Sequence, residues 1–132
     1  MVLVDTAALY ALLDEDDRVH ERARAWFAGP GSDPALRLVS HTYVVVEAAA
    51  LVHRRLGAEA VRVLLDDLVP ALAVRAVDDR LHERAVAAYL AGLPRDVSLV
   101  DRVSFEVMRE EAIDTAFTFD DDFRDHGFSV VP

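Results

Sequence analysis

The chain has 132 residues, of which 53% are hydrophobic and 29% are charged, a composition that predicts one globular domain over residues 1–132 and argues against disorder. It contains no cysteine, which excludes disulfides, thiolate zinc sites and cysteine nucleophiles. All fourteen basic residues are arginine, which excludes mechanisms that require a lysine amine. The formal net charge of −10 has the wrong sign for binding the phosphates of a nucleic acid.

The first third of the chain predicts a strand, two helices and a loop. Val2–Val4 is a short apolar strand, and Thr6 can cap the helix that follows it. The acidic residues 14–17 predict a turn that also favours the start of a second helix, whose apolar positions are spaced over residues 19–27. Glycine and proline in Gly29–Pro34 predict a loop.

The middle of the chain predicts a strand at Leu36–Ser40 and a long helix from about Thr42 to Gly57, a residue suited to the left-handed conformation that ends helices. The β-branched residues 44–46 could instead continue the strand, but the alanine-rich segment after them prefers helix. Apolar positions within residues 61–68 predict a further helix, closed by Pro70.

The last third continues the alternation of strand and helix. Ala73–Val77 predicts a strand, and the acidic pair that follows opens a helix over residues 78–92. Ser98 can cap the next helix, and two short strands are predicted at Thr115–Phe119 and Phe128–Val131.

This order of elements predicts an α/β fold. Strands that alternate with helices form a mostly parallel sheet, here of about five strands, covered by helices on both faces. In such a sheet the residues that follow the C-terminal ends of the strands gather in one crevice. Asp5 and Asp120 both occupy positions of this kind.

Carboxylates from several elements can reach this crevice. Glu47 lies on the helix after the second strand, and Asp101 lies in the first turn of a later helix. Carboxylates close together in a partly buried cleft repel one another unless protons or cations neutralise them. Oxygen ligands, with no cysteine and no paired histidines, favour Mg²⁺ or Mn²⁺ over zinc. Asp122 is a candidate fifth ligand.

Four segments carry a family resemblance. In chain order they are VDTAALYALL, SHTYVVVEAAALVHRRLG, SLVDRVSF and TAFTFDDDF. They resemble the successive motifs of PIN-domain ribonucleases and are most similar to the VapC-type toxins of toxin-antitoxin pairs. The resemblance covers nearly the whole chain and implies a three-layer α/β/α fold with Mg²⁺- or Mn²⁺-dependent cleavage of RNA.

The resemblance also implies roles for individual residues. The acidic quartet of the family matches Asp5, Glu47, Asp101 and Asp120. Asp122 matches a frequent additional acid, Thr118 matches a hydroxyl residue beside the site, and Thr6 is a supporting candidate. Asp121 departs from the family pattern, so the sequence leaves open whether Asp121 or Asp122 turns toward the metal.

The predicted mechanism uses a metal-activated water and no protein nucleophile. Asp120 or Asp101 could hold that water as general base, and one or two ions could bind. Two Mg²⁺ ions would change the formal charge from −10 to −6 and so weaken the repulsion of RNA. The family implies, as partners, an RNA substrate, a small VapB-like antitoxin and a second copy of the chain in a homodimer.

Other side chains have two readings each. Arg54 and Arg102 could meet RNA phosphates, although Arg54 equally suits a solvated helix end. Trp26 and Phe27 could form a groove for a partner helix or belong to the core. The histidines show no metal-ligand spacing and are interpreted as surface or structural residues.

The sequence lacks residues that two other function classes require. A phosphate-accepting receiver domain needs a lysine, and an aspartyl phosphatase needs a second aspartate two positions after Asp5, where Ala7 stands. A catalytically silent PIN-like module that binds an antitoxin is the main alternative.

The sequence also predicts a cytoplasmic location. The apolar start meets Asp5 at once without a basic leader, unlike a signal peptide, and no apolar run approaches the ~20 residues that a membrane span needs.

Overall fold

A computed structural model describes residues 1–132 as five strands and seven helices. The strands, β1 to β5 in chain order, are Val2–Val4, Leu38–His41, Ala73–Arg75, Thr115–Phe117 and Ser129–Val131. The helices, α1 to α7, are Thr6–Leu13, His20–Ala28, Thr42–Leu56, Ala58–Val63, Asp79–Gly92, Leu99–Glu110 and Asp122–Asp125. None of the helices combines the length and the apolar character required to cross a membrane.

The five strands form one parallel sheet in the order β3-β2-β1-β4-β5. β1 is the central strand, and its Leu3 is in register with Val39 of β2 on one side and with Ala116 of β4 on the other. Because every pair is parallel, all the strands end at the same edge of the sheet. The residues that follow β1 and β4 are therefore brought together there.

Helices cover both faces of this sheet. Successive residues of a strand point to opposite faces, so Val2 and Val4 pack against the side that carries α1, α2 and α3, and Leu3 packs against the side that carries α5 and α6. The largest buried side chains of the second side include Phe105 and Phe123. The predicted α/β fold with three layers is confirmed.

Several predicted helix ends are confirmed by local contacts. Ser98 Oγ accepts a hydrogen bond from the backbone N–H of Asp101 at 3.0 Å, and Asp78 Oδ1 accepts one from Leu81 at 2.8 Å. α3 runs through the β-branched residues 44–46. It ends at Gly57, whose φ of 89° is positive as predicted, although its ψ of −176° is extended instead of helical.

Other predicted boundaries are wrong. Thr6 is the first residue of α1 and not its cap; the cap position belongs to Asp5, whose side chain makes no capping bond. The acidic residues 14–17 form a turn, but α2 begins only at His20, because Asp14 and Asp17 bond the backbone of that turn. β4 ends at Phe117, which leaves the residues after it free to face the crevice.

The predicted helix over residues 61–68 is also divided. α4 stops at Val63 and is followed by a π-helical turn at Leu64–Leu68 and a 3₁₀ turn at Val69–Ala71, which contains Pro70. The short helix α7 was not predicted. It begins at Asp122, so it decides where the run of three aspartates points.

Candidate metal centre

The C-terminal edge of the sheet contains a cleft of about 310 Å³. β1 leads into Asp5, the β4 end leads to Asp120, and the helices α3 and α6 contribute Glu47 and Asp101. The four acids of the predicted quartet therefore line one cleft, together with Asp96, and no basic side chain lines it.

Asp5 is almost entirely buried, with 3% of its surface exposed. Its Oδ2 atom accepts a hydrogen bond from Thr118 Oγ1 at 2.8 Å, whereas its Oδ1 atom is buried and has no hydrogen-bond partner. Burial raises the pKa of Asp5 to about 6, and the negative charge of Glu47 adds to this effect. The hydrogen bond from Thr118 and the nearby backbone N–H groups of Thr6 and Ala7 act in the opposite direction.

The first turn of α6 places Asp101 in the same cleft as Asp5. It is 8% exposed, and its pKa is raised to about 7, mainly by burial and then by the charges of Asp5, Asp120 and Glu47. Only the bond with Ser98 favours its charged form. The fold thus brings together buried carboxylates whose ionised forms are destabilised by burial and by mutual repulsion. A bound cation would compensate this electrostatic destabilisation.

The segment after β4 is organised by hydrogen bonds. The backbone N–H of Asp120 donates to Thr118 Oγ1 at 3.1 Å, and that of Asp122 donates to Asp120 Oδ1 at 2.9 Å. As a result, Asp101, Asp120 and Asp122 each place a carboxylate oxygen within 4.8 Å of the others. Asp122 does not line the cleft itself but lines a neighbouring cavity, which shares Asp96 with the cleft. Its pKa is raised by burial and by Asp120.

Asp121 points away from this cluster. Its side chain is 86% exposed, and its Oδ1 accepts a hydrogen bond from Arg124 at 2.7 Å. The geometry therefore places Asp122, and not Asp121, beside the acidic cleft.

The donor set fits a hard divalent cation. All the candidate ligands are oxygen atoms, and Mg²⁺ and Mn²⁺ prefer carboxylate oxygens. Opposite ligands of one Mg²⁺ lie about 4.2 Å apart, close to the observed 4.8 Å spread of the three aspartates. Asp5 Oδ1 and the buried, unpartnered Thr6 Oγ1 are further oxygens without a protein donor.

Two residues of the cleft were missed by the sequence analysis. Asp96 is an exposed acid in the loop before α6, and Ser98, noted only as a helix cap, also lines the cleft. Their position near the start of the helix that carries Asp101 is the one local signal that could have identified them.

Neither predicted RNA-binding arginine lines the cleft. Arg54 is exposed in the last turn of α3, where its positive charge interacts favourably with the negative end of the helix dipole. Arg102 lies against Gly92, where a Cβ would collide with it, and its Nη1 atom is 3.3 Å from His126 Nε2. Their role in RNA binding stays a prediction.

The remaining aromatic and histidine residues are mostly structural. Trp26 packs against Phe117 with a 4.4 Å distance between ring centroids, and both Trp26 and Phe27 are partly buried against the core. His41 is fully buried, and its pKa is lowered to about 4 by burial and by Arg75. These positions agree with the core interpretation of Trp26.

The three layers and the acidic cleft define an α/β domain suited to holding a divalent cation on side-chain oxygens. The sequence-family model of the PIN domain matches residues 2–129 of the chain. The chain therefore belongs to the PIN-domain family. The resemblance inferred from the sequence is therefore confirmed.

Curated relatives extend this match over the whole chain. The chain is 34% identical to proteins named 23S rRNA-specific endonuclease VapC20 from two strains of Mycobacterium tuberculosis, CDC 1551 / Oshkosh and H37Rv. The aligned regions cover 99% of this chain and 98% of each relative.

Solved structures give the same fold. The crystal structure of Mycobacterium tuberculosis VapC20, described as a toxin that cleaves the sarcin-ricin loop, matches with a TM-score of 0.88 and 30% identity, and all of both chains is covered. FitAcB from Neisseria gonorrhoeae matches with a TM-score of 0.71 at 17% identity, over 100% of this chain and 97% of that one. FitAB bound to a DNA fragment matches with a TM-score of 0.70 at 17% identity, over 98% and 93%.

Proposed function

We propose that this chain is a divalent-metal-dependent endoribonuclease and the toxin of a toxin-antitoxin pair. The observation that carries the proposal is the convergence of Asp5, Glu47, Asp101 and Asp120 on one cleft of a PIN domain. The name of the VapC20 relatives, which describes an rRNA endonuclease, supports the same activity and agrees with the ribonuclease predicted from the sequence.

In this proposal the ligands are Asp5, Glu47, Asp101, Asp120 and Asp122. A bound Mg²⁺ or Mn²⁺ supplies a water of lowered pKa and charge stabilisation at the phosphate. Thr118 fixes the orientation of Asp5 through Oδ2, so that Oδ1 is the oxygen that remains available. Thr6 supports the site through its buried hydroxyl.

Asp101 and Asp120 both line the cleft, and either carboxylate is a proposed general base that accepts the proton of the attacking water. The cleft needs no protein nucleophile, because the attacking group is water.

The proposed substrate is RNA, and the names of the VapC20 relatives support ribosomal RNA as its class. A small VapB-like antitoxin is the proposed protein partner, since an acidic cleft without a basic side chain attracts a basic peptide. Assembly into a homodimer belongs to the same proposal. So does a cytoplasmic location, where the ribosomal RNA is found.

The test is cleavage of purified total RNA and of a 23S rRNA fragment by the full chain, with Mg²⁺ or Mn²⁺. Asp5→Asn and EDTA should each abolish cleavage. Asp67→Asn, an exposed acid outside the cleft, is the matched control and should cleave like the wild type. Cleavage that survives both Asp5→Asn and EDTA would refute the mechanism, and Mn²⁺ binding without any cleavage would support a silent binding module instead.

A further inference from the structure

A second cavity, of about 440 Å³, opens beside the acidic cleft. The segment 118–121 contributes to both: Asp120 lines the acidic cleft, whereas Thr118, Phe119 and Asp121 line the second cavity. The charged residues of the second cavity are three arginines and one aspartate, and we call it the arginine pocket. Its arginines are Arg18, Arg22 and Arg124.

Two of these arginines have no partner among the Asp and Glu side chains. Arg18 and Arg22 form no ion pair, and only Arg124 is engaged, with the exposed Asp121. The Arg22 guanidinium lies 5.6 Å from the centre of the Phe119 ring and donates to the backbone oxygen of Pro132 at 3.4 Å. The pocket therefore contains three guanidinium groups against one side-chain carboxylate.

This charge differs from that of the acidic cleft and of the cavity that shares Asp96 with it. The acidic cleft is lined by five carboxylates and no arginine. The cavity that shares Asp96 is lined by Arg95 together with three aspartates. A polyanion that approaches the acidic cleft thus meets an attractive surface mainly on the side of the arginine pocket.

The distance between the two sites is short. Thr118 lines the arginine pocket, and its Oγ1 is 2.8 Å from Asp5 Oδ2. Both cavities are thus built on the segment that follows β4, and an RNA strand with one phosphodiester at the acidic cleft can extend along the surface of this segment toward the arginines. Guanidinium groups match the geometry of phosphate oxygens with two parallel hydrogen bonds.

We propose that the arginine pocket binds a phosphate of the RNA strand adjacent to the phosphodiester held at the acidic cleft. The inference rests on the proposed ribonuclease function and adds the site that grips the substrate. It explains how a chain with a net charge of −10 can hold RNA: local arginines beside the cleft, and not the overall charge, provide the attraction.

The experiment measures RNA binding separately from cleavage. Arg18→Gln/Arg22→Gln is made in the Asp5→Asn background, and its affinity for a fluorescently labelled 23S rRNA fragment is measured in Mg²⁺ over a range of salt concentrations. The matched control is Arg24→Gln/Arg80→Gln, which removes the same charge from two exposed arginines that line no cavity. Thermal melting checks that all the variants fold.

The pocket variant should lose on the order of tenfold in affinity, and the control less than about twofold. The slope of log affinity against log salt should become shallower by about 0.7, the value for one lost phosphate contact on a single strand. In the cleavage-competent background, the pocket variant should raise KM more than it lowers kcat.

Equal losses in the pocket and control variants, or no loss in either, would overturn the proposal. The same holds if RNA affinity is unchanged and only antitoxin binding weakens, which would assign the pocket to the protein partner. These results differ from a failure of the proposed function, because in each of them the wild-type chain still cleaves RNA. A wild type that neither binds nor cleaves RNA removes both proposals.

Discussion

Thr118 donates its hydroxyl hydrogen to Asp5 Oδ2 at 2.8 Å, although the two residues are 113 positions apart in the sequence. The bond joins the ends of β1 and β4. Because the same oxygen of Thr118 accepts the backbone N–H of Asp120, one hydroxyl fixes two candidate ligands of the metal centre. Its removal offers a direct test of how the site is oriented.

Thr118→Val should lower the affinity for Mg²⁺ by about 10- to 100-fold, since residues that orient metal ligands contribute on this scale. The change keeps the shape of the side chain but leaves Asp5 Oδ2 without its donor. Isothermal titration with Mg²⁺ or Mn²⁺ gives the measurement. Thr118→Ser, which keeps the hydroxyl, is the control and should bind nearly as well as the wild type; equal affinities in all three proteins would contradict this orienting role.

Asp121 and Asp122 form a natural pair for a second test. Asp122 shares the carboxylate cluster with Asp101 and Asp120, whereas Asp121 is exposed and bonded to Arg124. Asp122→Asn should therefore reduce both metal affinity and cleavage at least tenfold. Asp121→Asn should leave the metal affinity unchanged and alter stability by no more than about 1 kcal/mol. The opposite order of effects on metal affinity would assign the ligand to Asp121.

Local chemistry explains why much of the fold could be predicted. The strands are apolar runs, and the caps at Asp78 and Ser98 depend on residues only three positions away. Asp5 and Asp120 could be placed together because both follow strand ends, which is a rule of parallel sheets.

The rest of the site depends on contacts that no local pattern encodes. Three consecutive aspartates are equivalent in sequence, and only the short helix α7, with the bond from Asp122 N–H to Asp120 Oδ1, separates their directions. Asp96 is an exposed loop acid with no periodic neighbours. The arginine pocket is assembled from the turn before α2, α2 itself, the segment after β4, α7 and the C-terminal segment, so its charges are distant in sequence.

The raised pKa of Asp101 predicts that the free energy of unfolding of the metal-free protein depends on pH. Its folded pKa of about 7 lies above its usual 3.8, so the folded state binds more protons, and stability falls as pH rises through 7. Asp101→Asn removes this titration. In EDTA, the stability of the variant relative to the wild type should be higher at pH 8 than at pH 5.

Urea unfolding at the two pH values measures this difference. His41, whose pKa is lowered to about 4, makes both proteins less stable as pH falls below its ordinary value, and its contribution cancels in the comparison. Mg²⁺ should reverse the result at pH 8 by stabilising only the wild type strongly. A stability difference that does not depend on pH would show that Asp101 is not strained by its neighbours.

Ser104 and His41 form a buried pair that links α6 to the end of β2. His41 Nδ1 accepts the backbone N–H of Val44, so Nε2 carries the hydrogen and donates to Ser104 Oγ at 2.8 Å. Ser104→Ala leaves this buried donor without an acceptor and should lower the free energy of unfolding by about 1–3 kcal/mol. Urea unfolding at pH 8 measures the loss, with the exposed Ser129→Ala as control. An equal effect in the two variants would mean that water replaces the hydroxyl, and that the sheet edge beneath the acidic cleft does not depend on this bond.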